Sequence, residues 1–173
     1  MDVGSNPTGG AKINFLINLY ISYILVYEKL NGFIFLMNSK RIGNISEANV
    51  LAKFVELEIP VLLPFGDDER YDMVINLNNM FYKIQVKTGT YKNGYIIINT
   101  CSTYGHRGKK RKYYTKDDID FIVGYCSFNK KCYLLTNFKS SSIVLRLSPT
   151  KNNQKKGVNF AIDYELEKKI KDI

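Results

Sequence analysis

Asp72, Gln85 and Lys87 are the polar side chains of one short stretch, Tyr71 to Gly89, whose chemical types could act together. A carboxylate and an amide oxygen are hard ligands that suit Mg²⁺, and an amine can orient or deprotonate a water or stabilise charge on a phosphate. Glu47, earlier in the chain, could supply a second carboxylate. Because Mg²⁺ keeps several waters and needs few protein carboxylates, Asp72, Gln85 and Glu47 would form a sufficient ligand set.

A β-hairpin would bring the three polar side chains together, and its register can be counted from the sequence. Two apolar runs flank Asn78-Asn79, which predicts a two-residue turn. Counting outward from that turn places Asp72 opposite Gln85, with β-carbons about 4.5 to 5.5 Å apart. Lys87 lies two positions further along and shares their face. The reverse face, expected to pack on the core, carries Met73, Ile75, Ile84 and Val86.

A helix is predicted from Asn44, and it would carry Glu47. Asn44 or Ser46 can cap this helix, and Pro60 ends it. Its apolar face, from residues at three- and four-residue spacing, is predicted to be Ile45, Ala48, Leu51, Ala52 and Val55. Glu47 would then fall in the first helical turn, where a carboxylate also suits the helix dipole. Its position therefore has a structural explanation as well as a functional one.

The remaining apolar runs predict the other strands of a sheet. Strands are expected over Tyr95 to Cys101, Ile119 to Cys126 and Lys131 to Asn137, and the last two are joined by a hairpin turn. Gly89 to Gly94 is predicted to be a turn, and Phe160 to Ile170 shows a helical pattern. This order of elements predicts an α/β fold with a central mixed sheet flanked by helices.

The length of 173 residues and the hydrophobic content of 45% suit one packed domain. Residues 1–36 differ in composition from the rest and contain an uncharged run from Ile13 to Tyr27. That run is shorter than the roughly 20 apolar residues that span a bilayer, and polar residues interrupt it. We expect an N-terminal appendage over 1–36, separable from a functional domain over 37–173. A genuine additional helix or a membrane-proximal element is the alternative.

The net charge of +9 would attract a polyanion over long range, and nucleic acid is the first candidate. Residues 104–116 contain six Lys or Arg, no acid, and the adjacent tyrosines Tyr113 and Tyr114. We expect a mobile loop that binds phosphates, with the tyrosines available to stack on sugars or bases. Residues 148–157 form a second basic, turn-rich loop. Merely solvated charge is the alternative for residues 104–116.

His106, the only histidine, lies beside Arg107 and Lys109. It could act as a base, but in this positive surrounding we expect it to contact phosphate instead. The predicted nucleic-acid-binding residues are His106, Arg107, Lys109, Lys110, Arg111, Lys112, Tyr113, Lys151, Lys155 and Lys156.

Three cysteines, Cys101, Cys126 and Cys132, lie inside apolar runs without metal-ligand spacing. Their odd number argues against a disulfide framework, and the absence of metal-ligand spacing argues against a zinc site. We expect buried free thiols and a reducing, cytoplasmic environment.

The run from Gly43 to Ser102 resembles the PD-(D/E)XK nuclease superfamily, and within it the homing endonucleases encoded by group I introns. The resemblance continues through the basic segment and the closing segment, so it covers roughly Met37 to Leu166. The catalytic Asp that begins the second strand matches Asp72, the (D/E)-x-K element matches Gln85-Val86-Lys87, and the helix-borne Glu matches Glu47. Two departures are Tyr71, which replaces the Pro before the Asp, and Gln85, which replaces the second acid. The intron-encoded branch shows a similar variant.

The resemblance implies a restriction-endonuclease-like core and cleavage of double-stranded DNA by a metal-activated water, with Mg²⁺ as cofactor and no organic cofactor. It also implies a homo-oligomer, either a dimer or a tetramer. Two alternatives stay open: a DNA-binding protein with a degenerate nuclease site, and another nuclease of the same fold that acts in junction resolution, repair or restriction.

Overall fold

The computed structural model describes residues 38–66, 68–104, 110–150 and 152–173, so the predicted appendage over 1–36 lies outside the described residues. Helix α1 (Ser39–Glu56) comes first. The strands are β1 (Val61–Leu62), β2 (Met73–Leu77), β3 (Met80–Lys92), β4 (Tyr95–Asn99), β5 (Cys101–Tyr104), β6 (Lys110–Tyr113), β7 (Phe121–Cys126), β8 (Lys131–Leu135) and β9 (Ser142–Arg146). The 3₁₀ turns Ala161–Asp163 and Ile170–Asp172 flank helix α2 (Leu166–Lys169). None of the helices among these residues combines the length and hydropathy needed to cross a bilayer.

Among the described strands, seven form one mixed sheet in which β3 pairs with three others: β2, β4 and β7. The antiparallel path is β1-β2-β3-β4-β9, and β3 also pairs in parallel with β7, which pairs with β8. The predicted turn over Gly89 to Gly94 is too long, because β3 continues to Lys92 and the chain reverses at Asn93-Gly94. Both turn residues have positive φ, 48° and 84°. The predicted α/β fold with a central mixed sheet is confirmed.

The turn at Asn78-Asn79 sets the register of β2 and β3 as predicted. The φ angles of these two residues are 52° and 62°. Two successive positive φ angles are typical of a type I′ turn, whose twist matches that of the flanking strands. Met73 pairs with Ile84, and both side chains are almost completely buried. The predicted register and the predicted core face of the hairpin are therefore confirmed.

Two apolar clusters lie against the sheet. The first joins Val50 and Phe54 of α1 and Leu166 of α2 to the buried face of β2, β3, β7 and β8. The second lies where β4 packs over β7, and Gly124 makes this close approach possible. A Cβ atom at Gly124 would lie 2.5 Å from Cδ1 and 3.0 Å from Cγ1 of Ile98. The long β3 thus contributes side chains to both clusters.

Helix α1 differs from the prediction in its start and in its buried face. It begins at Ser39 rather than near Asn44. Its buried residues are Ser46, Val50 and Phe54, whereas 63% of Val55, a member of the predicted face, is exposed. Of the predicted face, Leu51 does pack, partly buried, against the first cluster, but the side chains that the sheet buries completely are Val50 and Phe54.

The segment predicted as a mobile basic loop contains a strand. β6 pairs antiparallel with β5 in a separate two-stranded sheet, which we call the basic ribbon. All four side chains of β6 are exposed. The predicted strand from Tyr95 to Cys101 is divided at Thr100, whose hydroxyl donates to the Ser140 carbonyl. The divided strand places β4 in the large sheet and β5 in the ribbon.

The β7–β8 hairpin and the cysteines match the predictions, whereas the C-terminal helical pattern does not. The hairpin of β7 and β8 is confirmed, and Cys101, Cys126 and Cys132 are free and buried as predicted. The helical pattern over Phe160 to Ile170 is broken into short turns, because Glu165 forms a bridge to Tyr133 of β8.

Candidate active site

Asp72 lies directly before β2, and it is tied to β3 through backbone and side chain. Its N–H donates to the Ile84 carbonyl at 2.8 Å. Its Oδ2 accepts hydrogen bonds from the Gln85 Nε2 and from the Val86 N–H, the latter at 2.6 Å. The structure therefore brings Asp72 and Gln85 together, as the register count predicted.

The Gln85 side chain is buried, with 9% of the residue exposed. Its Nε2 lies between two acceptors, Asp72 Oδ2 and the Val86 carbonyl, which is 3.4 Å away. An amide places its nitrogen toward acceptors, so this arrangement assigns the NH₂ group to the side of Asp72. In this geometry Gln85 holds the Asp72 carboxylate.

Burial raises the pKa of the Asp72 carboxyl to about 6. The hydrogen bond from the Val86 N–H opposes this effect, whereas the negative charge of Glu47 adds to it. The positive charge of Lys87 and the hydrogen bond from Gln85 lower the pKa. Since a nearby cation favours an ionised carboxylate, a metal bound here would reverse the protonation that burial favours.

Glu47 is exposed on α1, and it lines an open cleft of about 380 Å³ together with Asp72. The hydroxyls of Ser46 and Thr88, 2.8 Å apart, join α1 to β3 beside these residues. Because the Ser46 hydroxyl donates to the Ile42 carbonyl, the Thr88 hydroxyl is the donor between the two. The Ser46–Thr88 hydrogen bond therefore holds the neighbour of Glu47 on α1 close to the neighbour of Lys87 on β3.

The helix dipole does not explain Glu47. α1 begins at Ser39, and its first turn contains no acidic residue. Because the dipole acts only within the first turn, the structural explanation offered from the sequence is wrong.

The donors of the cleft suit a hard cation that keeps most of its own water. Asp72 and Glu47 line it, and so does Glu69 from the loop before β2. Among the residues that the structure describes, no group of three or more His, Cys, Asp or Glu is placed to hold a metal. The three carboxylates that line the open cleft are hard oxygen donors, which is the donor chemistry that hard divalent cations prefer.

Lys87 lies two residues after Gln85 on β3 and is partly buried. Its Nζ donates to the Tyr114 hydroxyl at 2.8 Å. Tyr114 is only 8% exposed, so the prediction that it could stack on nucleic acid is wrong. Tyr113, the last residue of β6, is 47% exposed and remains available for such a contact.

The predicted nucleic-acid-binding residues divide into three groups. Four are the exposed side chains of β6, namely Lys110, Arg111, Lys112 and Tyr113. Lys155 and Lys156 are exposed in the loop before Gly157. The remaining four, His106, Arg107, Lys109 and Lys151, lie outside the described residues.

Arg70, Tyr114, Ser46 and Thr88 are site neighbours that the sequence interpretation missed or assigned elsewhere. Arg70 lies over the Tyr114 ring, with its Cζ 4.7 Å from the centroid. The members of each contacting pair, Arg70 with Tyr114 and Ser46 with Thr88, are more than forty positions apart in sequence, so no local spacing could have revealed these contacts.

The site follows the pattern of a metal-dependent nuclease core. Asp72 lies at the start of one strand, Gln85 and Lys87 lie two residues apart on the next strand, and the helix residue Glu47 lines the same cleft as Asp72. The profile of the PD-(D/E)XK endonuclease family matches residues 37–167, and the chain belongs to this family. The resemblance recognised from the sequence is thus confirmed.

The solved structure of I-Ssp6803I, a bacterial homing endonuclease, has a similar fold. The TM-score is 0.64 at 23% sequence identity, and the match covers 78% of this chain and 93% of that chain. This likeness confirms the restriction-endonuclease-like core. A comparison with curated proteins finds no match.

Proposed function

We propose that this chain is a Mg²⁺-dependent endonuclease that hydrolyses phosphodiester bonds of double-stranded DNA. The convergence of Asp72, Gln85 and Lys87 at the β2–β3 hairpin, with Glu47 in the adjoining cleft, carries the proposal. Membership of the PD-(D/E)XK endonuclease family supports it. We assign the activity to residues 37–173, since the family match begins at Met37.

The carboxylates of Asp72 and Glu47 would hold the cation, with Gln85 as the third predicted ligand. A bound divalent cation supplies a Lewis acid that polarises the phosphate and lowers the pKa of a water. Gln85 and the Val86 N–H both bond Oδ2 of Asp72, whereas Oδ1 accepts no hydrogen bond from the described residues. We propose Oδ1 as the ligand atom, because Oδ2 is already engaged.

Lys87 would act on the water or on the phosphate, with no covalent intermediate. Its ammonium group can stabilise negative charge that develops on the phosphate oxygens, and its neutral amine can take a proton from water. The Tyr114 hydroxyl accepts one hydrogen bond from the Lys87 Nζ. An ammonium group has three donors, so the others remain for the substrate.

The basic ribbon is the proposed DNA contact among the described residues. Adjacent side chains of a strand point to opposite faces, so Lys110 and Lys112 share one face, and Arg111 and Tyr113 share the other. A two-stranded ribbon fits the major groove, where one of its faces meets the base edges. Long basic side chains of such a ribbon can also reach the phosphates that border the groove. The net charge of +9 would add long-range attraction.

A homo-oligomer is part of the proposal, because one site cuts one strand and a duplex presents two. Apolar side chains near edge strand β1 could serve its interface: Leu62, Leu63 and Phe65 are 49%, 63% and 107% exposed. A dimer or a tetramer is expected, and light scattering of the purified protein measures which one forms.

The test is the incubation of the protein with supercoiled plasmid and a panel of long DNA substrates, in Mg²⁺ or in EDTA. Cleavage is expected in Mg²⁺ only. Asp72→Ala should lower its rate at least about 100-fold, and Asp172→Ala should not, because Asp172 is a largely exposed partner of Lys169 near the C-terminus.

Cleavage that persists in EDTA or in Asp72→Ala would overturn the assigned mechanism. Specific DNA binding without cleavage of any substrate would favour the alternative of a DNA-binding protein with a degenerate site. Gln85 in place of an acid is the feature that makes this alternative worth testing.

A further inference from the structure

We propose that Tyr114 is a positioning residue for Lys87, a role that rests on the endonuclease activity proposed above. The Lys87 Nζ donates to the Tyr114 hydroxyl at 2.8 Å. The same Nζ lies 4.9 Å from the centroid of the tyrosine ring. The phenol therefore offers the amine a hydrogen-bond acceptor at the edge of the ring, which fixes the direction of a flexible side chain.

Tyr114 can hold Lys87 in place because its own ring is anchored. It belongs to the second apolar cluster, beside Ile96, Ile119 and Ile122. Its residue exposure of 8% leaves little room for another rotamer. The ring is thus a rigid support rather than a second mobile group.

Arg70 secures the ring further. Its Cζ lies 4.7 Å from the centroid of Tyr114, and its Nη2 donates to the Tyr113 carbonyl at 3.2 Å. Its Nε lies 3.2 Å from Oδ1 of Asp118. Arg70 comes two residues before Asp72, so the ring contacts both chain segments that carry the proposed active site.

The position of Tyr114 in the chain links Lys87 to the strand that is the proposed DNA contact. It directly follows β6, whose exposed side chains are the proposed DNA contact. Tyr114 therefore joins the end of the basic ribbon to the amine of Lys87. Tyr133, a buried aromatic of the same cluster, has no such connection. Its hydroxyl accepts a hydrogen bond from the Asn129 Nδ2 at 2.7 Å.

Tyr114→Phe removes the acceptor and keeps the ring, and Tyr133→Phe is the matched control for the loss of a buried hydroxyl. With saturating DNA and Mg²⁺, Tyr114→Phe should lower kcat about 10- to 100-fold and leave KM for DNA unchanged. Tyr133→Phe should keep the wild-type kcat even if it lowers stability. A wild-type kcat in Tyr114→Phe would overturn the proposal.

A double-mutant cycle separates positioning from a general loss of packing. In a Lys87→Met background, Tyr114→Phe should cause no further loss of rate, because the group that it positions is already gone. If the two losses instead multiply, Tyr114 acts independently of Lys87 and the proposal is wrong.

Chemical labelling tests the contact even if the protein cuts no DNA. Acetylation by an N-hydroxysuccinimide ester, followed by mass spectrometry, compares the Lys87 amine with the exposed Lys92 amine on the same strand. Tyr114→Phe should raise the relative labelling of Lys87 about 3- to 10-fold, and Tyr133→Phe should leave it unchanged. No cleavage by the wild type, together with this increase, rejects the proposed function but keeps the contact. An unchanged ratio rejects the positioning by Tyr114.

Discussion

The β2–β3 hairpin and the basic ribbon are both antiparallel pairs, but they differ in what lies behind them. The hairpin buries Met73, Ile75 and Ile84 almost completely, whereas every side chain of β6 is exposed. A buried face fixes strand register, because a slip of one residue would turn the apolar side chains to water. The proposed chemistry, which needs sub-ångström placement, thus lies on the supported pair, and the proposed DNA contact lies on the exposed strand β6.

The contrast implies that the two regions contribute to different steps. The hairpin should determine how fast a bound phosphate is cut, and the ribbon should determine how tightly DNA is held. Tyr114 lies between them, in contact with Lys87 and directly after β6. Variants on either side can break or sharpen this separation.

The largest effect is expected from Lys87→Met on the hairpin. The single-turnover cleavage rate should fall about 100- to 1000-fold, because the amine that stabilises charge or moves a proton is lost. DNA affinity, measured by fluorescence anisotropy without divalent metal, should change little. A variant that loses affinity and keeps its rate would show that Lys87 serves binding alone.

The next effect concerns the ribbon. Replacing Lys110, Arg111 and Lys112 together by Gln should lower DNA affinity and reduce the slope of log K against log salt by about 2 to 3, through lost counterion release. The rate at saturating DNA should remain near that of the wild type. Its matched control removes three exposed lysines elsewhere: Lys139, Lys168 and Lys171. Equal losses in both variants would mean that net charge, not the ribbon, accounts for binding.

A smaller effect is expected from Asp72→Asn on the stability of the metal-free protein. The folded-state pKa of about 6 exceeds the ordinary value of 3.8, so folding takes up a proton between these pH values. The wild type is therefore most stable, as far as this group is concerned, below about pH 4 and loses that stability as pH rises through about 6. The variant carries no ionisable group at this position.

Urea unfolding of wild type and Asp72→Asn at pH 4 and pH 7.5 measures this difference. Above pH 6 the variant should gain about 1 to 3 kcal/mol relative to the wild type, compared with their difference at pH 4. Partial exposure of the carboxyl places the expected value toward the lower end. The opposite sign would show that the hydrogen bond from Val86 outweighs burial. Saturating Mg²⁺ should stabilise the wild type and not the variant, because binding to the folded state alone raises stability.

The smallest effect concerns the turn that sets the hairpin register. Asn79 is exposed and has a φ of 62°, so Asn79→Gly should stabilise the protein by a few tenths of a kcal/mol. Asn79→Val should destabilise it by about 1 to 2 kcal/mol, because a β-branched residue is strained there. Thermal unfolding measures both. A neutral Asn79→Val would mean that the core face, not the turn, determines the register.

The hairpin was predictable because its determinants are local. Asn78-Asn79 permits two positive φ angles, and alternating side chains select one register around it. The same reasoning found that Asp72 lies opposite Gln85. It could not find that Gln85 is buried and donates to Asp72, because that depends on what covers the strand.

Helix α1 shows the limit of spacing. Both stripes of the helix repeat at helical intervals, and only contact with the sheet selected Val50 and Phe54 over Val55. Ser46 is buried for the same reason, because its hydroxyl meets Thr88 across the interface. Glu47 was proposed as a second carboxylate from its residue type and also matched the family pattern. Its dipole explanation failed because the helix starts at Ser39.

By itself, the sequence determined the hairpin register, the buried thiols, the basic character of the chain and the family to which it belongs. These features follow from residue types and from spacings of a few positions. Only the tertiary structure decided that α1 lies with Glu47 along the cleft of Asp72, that β6 is an exposed strand, and that Lys87 donates to Tyr114. Each of those depends on packing between distant segments, where burial and hydrogen bonding select among conformations that local patterns leave equally acceptable.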